Sequence, residues 1–516
     1  MKIKLLFLFC LVIVTKNSFS QTITLDTSFG VNGKVINSFA PQNDGLNSLL
    51  IQNDGKIIVS GLQDYSLSGN VFISRFNIDG TLDNSFGVNG YVLTQLVSET
   101  GGSCIIKLQN DGKILITGSK SPSVNSSFFD FATMRYNSDG TIDTSFGING
   151  LVVTDLFATG DFSNAIDVQS DGKIIVAGST YVGTKTVPSI LRYLNNGTLD
   201  TSFGTNGKAL LGLFDPNKSE STACIKVLSD NSIILGIFTS ALETLEDYLN
   251  FGVIKVTNNG LLDSTFGTNG HVLTDFGFKD YIRSVDEFEG KIIALGYSSN
   301  TGVGTKMAIA KYLPNGSLDS SFGINGLVNA NKNGTSLYDA ISGLKVLSDG
   351  KMLCAGYTAS STADFLLIKF NVDGSVDTNF NSVGYLSTDF NGFNDLGAAV
   401  AIGNDGKIVC AGITTVGSNY DTALSRYTVE SLSNEVYNEN LFTVYPNPFT
   451  DSINITSKNL DFANTSVEIY DSNGKLISNF KLNSSEVSLK DILSNGNYFL
   501  KISSQGKSEI IKLIKK

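Results

Sequence analysis

A single histidine, His271, stands in 516 residues. Catalysis by a serine or cysteine nucleophile ordinarily needs an imidazole base, so that chemistry is confined to one position. His271 lies in "NGHVLT", where sister segments carry Tyr91, Leu151 or Leu327, and it reads as a packing or surface residue. A metal centre built on several histidines is excluded by the same count. Cysteine is scarce too. Of five, Cys10 falls in an N-terminal apolar run, and Cys354 and Cys410 sit in "KMLCAG" and "KIVCAG", where other copies carry Val59, Ile116 or Val176. With Cys104 and Cys224, which lack C-x-x-C spacing, they read as buried free thiols. Clusters of Lys and Arg are absent except at the extreme C-terminus, and the net charge is −11. That balance repels nucleic acid. Helix-forming runs are few, and beyond the first 20 residues no apolar stretch is long enough for a membrane helix.

What the chain has in quantity is glycine (52), phenylalanine (33), tyrosine (18) and 41% hydrophobic residues in alternating runs. This is the composition of an exported all-β protein with a core. Residues 1–20 read as a signal peptide: Lys2 and Lys4, the apolar "LLFLFCLVIV" (5–14), then small residues to a cleavage between Ser20 and Gln21.

One phrase recurs. "NIDGTLDNSFGVNG" (77–90) returns as "NSDGTIDTSFGING" (137–150), at 195–207, 258–270 and 315–326, in degraded form at 373–384, and as a bare half, "LDTSFGVNG", at 25–33. Its Phe falls at 29, 86, 146, 203, 266, 322 and 380, spacings of 57, 60, 57, 63, 56 and 58. Each unit reads as four strands: one after the "NG" (91–96), one like "CIIKLQ" (104–109), one after an "NDGK" turn, and one ending in "SRF", "MRY" or "SRY". Seven such units predict a seven-bladed β-propeller of four-stranded antiparallel blades.

A basic residue ends the last strand of each unit: Arg75, Arg135, Arg192, Lys255, Lys311, Lys369 and Arg426. Asp83, Asp143, Asp200, Asp263, Asp319 and Asp377 follow the first six at a spacing of eight. A fixed spacing of opposite charges across a turn predicts one repeated corner between blades, with the Asp also accepting from N–H groups two or three residues on. Arg426 has no such partner downstream. The orphan half-phrase supplies Asp26, which should meet Arg426 and close the ring.

These motifs, "DGTLDxSFGxNG" followed by "DGKIIVAG", resemble the delta-60 repeat, a bacterial propeller-type repeat, over about 20–430. The resemblance implies the fold and an extracytoplasmic setting but no activity. Unit four ("SDNSIILG") and the opening of unit seven ("FNSVG") depart from the pattern, and distortion is expected there.

After a polar linker at 431–440, alternating runs over 441–516 predict a small Ig-like β-sandwich. Tyr445, Pro446, Asn447 and Pro448, then Tyr470-Asp471, Gly474-Lys475, Gly496, Tyr498 and the basic end resemble the C-terminal sorting domain of type IX secretion cargo. That resemblance implies transport across the outer membrane of a Bacteroidetes-type cell, with the secretion machinery as partner and a secreted or cell-surface location.

No catalytic residue, metal site or cofactor is expected. The Asp of "NIDGTLD" becomes Asn196, Asn259 or Asn315 in other copies, which speaks for a turn rather than a calcium loop. Repeated Asp residues read as turn-formers. Asp155, Asp275 and Asp389, in "TDL" or "TDF", occur in only three units and are weak binding candidates, with capping of a corner as the other reading. Loops such as "STYVGTKTVPS" vary between units while the opposite face repeats, so ligand binding is expected on the varying face or in the channel mouth beside it. The expectation is a monomeric, non-catalytic binding or adhesion module for an extracellular glycan or protein. The alternatives are a glycan-active hydrolase or lyase on the same scaffold, or a spacer without ligand.

Overall fold

Every regular element among the described residues of the computed structural model is a β-strand. Those residues are 21–39, 43–63, 70–97, 104–120, 129–156, 160–241, 249–300, 303–332, 338–431, 442–457, 464–472, 474–504 and 507–516. The leader, with Ser20 and Cys10, lies outside them. No described helix is long and apolar enough to cross a membrane. The chain divides into two compact units, Met1–Leu432 and Ser433–Lys516.

In the first unit the strands form four-stranded antiparallel blades. Asp161–Val168, Ile174–Val182, Lys185–Tyr193 and Lys208–Leu210 pair in that order. The two middle strands are buried on both sides, Ile174 to Thr180 without interruption, because each blade is covered by a neighbour on either face. That is why they read as continuous apolar runs while the outer strand Leu151–Thr154 of the preceding blade is half exposed. Successive first strands pack against one another: Asp44–Ile51, Ile106–Leu108, Asp161–Val168, Lys218–Val227, Lys279–Phe288, Tyr338–Val346 and Asp395–Ile402, with the last returning to the first. Seven innermost strands thus close a circle among the described residues.

The blades begin one strand later than the sequence suggested. The strand after each "NG", such as Tyr91–Val97, is the outermost strand of the blade before it, paired to Asn70–Phe76. The recurring phrase therefore joins the third and fourth strands within a blade. Period alone cannot set this phase, since any cyclic shift of a repeat has the same spacing.

The closing blade is composite. Asp395–Ile402, Ile408–Val416 and Asn419–Ser431 come from the end of the array, and Lys34–Asn37 from its start pairs with Thr422–Ser425. Gln21–Leu25 pairs with Tyr427–Ser431 on the same edge. Ser431, read as the first linker residue, is strand because Gln21 gives it a partner. The rest of the linker lies outside the described residues. Unit four, expected to be distorted, forms a regular blade from Lys218–Val227, Ile233–Ala241, Phe251–Val256 and His271–Thr274. At "FNSVG" both Asn381 and Ser382 take positive φ, where other copies have a single such non-glycine residue.

The second unit is a β-sandwich of a three-stranded sheet (Thr443–Tyr445, Ser452–Thr456, Glu486–Ser488) and a four-stranded one (Leu476–Lys481, Thr465–Asp471, Gly496–Ser504, Lys507–Lys515). Phe449, Ile453, Val467, Ile469, Leu500 and Leu513 fill its core. Asn447 of the Tyr-Pro-Asn-Pro segment donates from Nδ2 to the Lys512 carbonyl at 2.6 Å and accepts the Ile514 N–H at 3.0 Å, tying the start of the unit to its last strand. Tyr445 is exposed, whereas Tyr498 is buried and its hydroxyl donates to the Ser494 carbonyl at 2.9 Å. Lys515 is buried, its ammonium surrounded by the carbonyls of Leu489, Lys490 and Leu493.

Candidate binding site at the channel mouth

The repeated corner comes first, because it positions everything else. Asp143 accepts Arg135 Nε at 2.7 Å on Oδ2, while Oδ1 takes the Ser145 N–H and hydroxyl at 3.1 and 2.6 Å. The guanidinium lies 4.7 Å from the ring centre of Phe146, which is wholly buried, and reaches the Asn195 carbonyl of the next phrase. Phe29, Phe86, Phe203, Phe266, Phe322 and Phe380 are equally buried. Full burial of a Phe contributes roughly 1.5–3 kcal/mol.

Adjacent phrases are also stitched through backbone. The N–H of Gly87 donates to Asp139, Gly147 to Asn196, Gly204 to Asn259, Gly267 to Asn315 and Gly323 to Asp373. Gly140 must be glycine: it has φ +84°, and a Cβ there would stand 2.8 Å from the Gly87 nitrogen. The circle is completed by Asn381 donating to Gln21 and Gly30 donating to Asp79. Asp26 Oδ2 lies 2.8 Å from Arg426 Nε, and that guanidinium is 4.5 Å from the Phe29 ring. The structure therefore joins the two residues that the orphan half-phrase paired.

The sequence reading missed the second cation at these corners. The lysine after the turn glycine reaches the same carboxylate: Lys56 to Asp83, Lys113 to Asp143, Lys291 to Asp319, Lys351 to Asp377 and Lys407 to Asp26 at 2.7–2.8 Å, and Lys173 to Asp200 at 3.3 Å. Its recurrence in six of the seven units was the signal. In unit four Ser232 replaces that lysine, and Asp263 keeps Lys255 alone at 3.1 Å. The carboxyls of Asp26, Asp83, Asp143, Asp200, Asp263 and Asp319 are held below the usual range. For Asp319 the Lys291 ammonium and the Ser321 hydroxyl outweigh burial and hold it at about 2.

On the other face the chain does something different. Asp161, Asp280 and Asp395, at the starts of innermost strands, are fully buried and accept the N–H groups of Leu156, Phe276 and Phe390 from the preceding loop at 2.7 Å. Glu220 takes the same place in its blade, accepting from Phe214 at 2.9 Å. Burial pushes Asp161 up to about 7, and Glu220 and Asp280 up to about 6. These carboxylates also escaped the sequence reading, because the residues around them vary.

The weak candidates lie beside them. Asp155 clusters with Asp130 and Asp161, and Asp389 with Asp364 and Asp395, each trio having a carboxylate oxygen apiece within 4.8 Å of one another. These are the two groups among the described residues whose geometry could hold a hard cation. Asp275 and Asp389 accept the N–H groups of Gly277 and Gly392 at 2.6 Å, which is corner capping. None of the three lines the central channel. His271 is buried, its Nδ1 3.1 Å from the Asn269 carbonyl, and burial lowers its pKa. The four described cysteines are free, and burial raises the Cys104, Cys354 and Cys410 thiols and pushes Cys224 up to about 12.

The channel itself encloses about 1020 Å³. Each innermost strand outside the second blade carries a register shift against its neighbour, and the extra residue is Asn47, Asn164, Ala223, Arg283, Ser342 or Ala398. All six line the channel. A bulge re-aims a side chain, so the fold sets a ring of such positions around the axis. Toward the varying face stand Phe162, Tyr181, Tyr281, Tyr297, Tyr357 and Tyr420. Tyr281 and Tyr297 stack with centroids 5.0 Å apart, and Phe162 meets Tyr181 edge-on at 6.1 Å. Ser, Thr and Asn share the remaining wall with aliphatic, alanine and glycine residues, and Asp44, buried, is its one carboxylate among the described lining residues.

Residues 443–516 match the secretion system C-terminal sorting domain, and six segments, 52–86, 109–146, 169–203, 290–322, 347–380 and 403–429, match the DUF5122 β-propeller, a domain of unknown function. The chain is thus a β-propeller similar to DUF5122 over those six segments, followed by a unit similar to the secretion sorting domain. Its tail marks it for export to the cell surface or beyond. A search of curated proteins gives no match. Among solved structures, virginiamycin B lyase from Staphylococcus aureus aligns at 10% identity over 76% of this chain and 98% of its own, with a TM-score of 0.39. A protein of unknown function from Bacteroides caccae aligns at 12% identity over 67% and 94%, TM-score 0.35. An endo-arabinanase from Bacillus licheniformis aligns at 14% over 57% and 100%, TM-score 0.33. At these values the likeness assigns neither activity nor ligand to this chain.

Proposed function

We propose that the exported propeller is a non-catalytic carbohydrate-binding module that receives a short glycan at the channel mouth on its varying face. The observation that carries this reading is the pairing of aromatic faces, Tyr281 and Tyr297 foremost, with a wall of hydroxyl and amide groups. Sugar rings present C–H faces and hydroxyl edges, and such a wall complements both. A hydrolase working by paired carboxylates needs two of them flanking the bond at roughly 5–9.5 Å. The described lining offers Asp44 alone, and the other buried acids are committed to loop N–H groups. The sorting tail supplies the secretion machinery as a partner. The test is a glycan array probed with the mature chain from residue 21, followed by calorimetry and a reducing-end assay on each hit. Saturable binding without new reducing ends is the expected result. Turnover of a hit would make the protein an enzyme, and an empty array would remove the reading.

A further inference from the structure

The chain has five arginines. Four, Arg75, Arg135, Arg192 and Arg426, are spent on the repeated corner, each with its aspartate at 2.7–2.9 Å. The fifth, Arg283, belongs to no repeat. It occupies the bulge of Lys279–Phe288, between the paired positions Ile282 and Ser284. At the equivalent points of the other bulged strands stand Asn47, Asn164, Ala223, Ser342 and Ala398, so one position of the ring carries a charge and the others are neutral.

Arg283 is exposed to the channel, is the one cation among its described lining residues, and has no carboxylate within ion-pair distance among the described residues. Its guanidinium rests 5.4 Å from the centre of the Tyr297 ring, and Nη2 donates to the Tyr297 hydroxyl at 2.9 Å. Tyr297 in turn stacks on Tyr281. A guanidinium carries five N–H donors in a planar fork suited to carboxylate or sulfate, and one of them is engaged here. The aromatic contact fixes the plane of the fork without neutralising its charge. A cation set alone in a narrow channel of an otherwise acidic protein draws an anion there and nowhere else on that wall.

We propose that Arg283 selects an acidic sugar, a residue bearing a carboxylate or sulfate that meets the guanidinium while its ring packs on the Tyr281–Tyr297 pair. This rests on the carbohydrate-binding reading and narrows it. The overall charge of −11 opposes a long polyanion lying across the surface, so the acidic group enters as the end of a chain or as a short oligosaccharide.

The test uses the mature full-length chain and three oligosaccharide probes: oligogalacturonate, its methyl ester, and a sulfated galacto-oligosaccharide. The acidic probes should bind and the ester should bind roughly tenfold or more weakly, as loss of a charge-assisted hydrogen bond dictates. Carboxylate and sulfate as sources separate by which acidic probe binds. Arg283→Gln should abolish the preference for the acidic form, and Arg283→Lys should keep part of it. Added salt should weaken acid binding to the wild type and leave the Arg283→Gln protein unaffected. Thermal unfolding of both variants close to that of the wild type rules out misfolding. Equal affinity for acid and ester, or acid binding unchanged in Arg283→Gln, overturns this inference while leaving carbohydrate binding standing. Failure of all saccharides overturns both.

Discussion

The two faces of the propeller solve opposite problems with the same strands. On one, every blade repeats an aspartate, a basic residue, a buried phenylalanine and a glycine-tight turn, and each phrase is bonded to the next. On the other, loops differ in length and content, and the channel wall beside them carries residues found once, such as Arg283, or in a few blades, such as the tyrosines. Recurrence marks what the ring needs to be a ring. A residue that departs from the recurrence is where a ligand can be told from other ligands, because a perfectly symmetric channel would present the same chemistry in every direction.

The comparison can be broken first at the clasp. Removal of residues 21–37 takes away both N-terminal strands, Phe29 and Asp26. The expected outcome is loss of cooperative unfolding and rapid proteolysis of the closing blade, read by limited digestion and calorimetry. Phe146→Ala, within an intact ring, should cost about 3–5 kcal/mol by denaturant titration, as truncation of a fully buried Phe does. Arg135→Ala should cost roughly 2–4 kcal/mol, since it strips a buried carboxylate of one cation and empties the contact with the next phrase. Lys369→Ala should cost under about 1 kcal/mol, because Lys369 stands 3.7 Å from Asp377, which keeps Lys351 at 2.8 Å.

The faces also titrate in opposite senses. Asp319, held at about 2, contributes stability above its ordinary 3.8 that is lost as pH falls toward 2. Asp161, raised to about 7, is the reverse: its proton is retained in the folded chain, so stability is present below 3.8 and is lost as pH rises toward 7. From these groups stability should therefore peak near about pH 4 and fall on either side. Asp161→Asn should flatten the decline toward pH 7 in a series of thermal melts, and an unchanged slope would show that the shift lies elsewhere. The smallest effect on stability belongs to the channel. Tyr281→Ala should change it by under about 1 kcal/mol, as a half-exposed residue, while weakening glycan binding roughly tenfold.

Most of the scaffold was legible in the sequence because it is written seven times. Asp26 and Arg426 could be paired across 400 residues since one end had a corner lacking its phrase and the other a phrase lacking its corner. The phase of the blades was readable from the same orphan: a half-phrase followed by one strand, Lys34–Asn37, completes three strands at the far end. The channel was not legible in this way. Its bulges arise from how first and second strands register, which leaves no periodic trace, and Asp161 is buried by loops of unrelated sequence. Arg283 had one visible sign, that it is the only arginine outside the repeated position.

The composite blade has a mechanical side. Asn419–Ser431 is bonded along one edge to Ile408–Val416 and along the other to both Gln21–Leu25 and Lys34–Asn37. In antiparallel ladders the bonds lie across the strands, so tension applied along Asn419–Ser431 shears many of them together instead of opening them one by one. The strand that leads toward the tail is thus the one gripped from both sides. A protein held at a surface through its C-terminal end, and tugged by whatever its channel holds, would meet that tension where its first and last strands share a sheet.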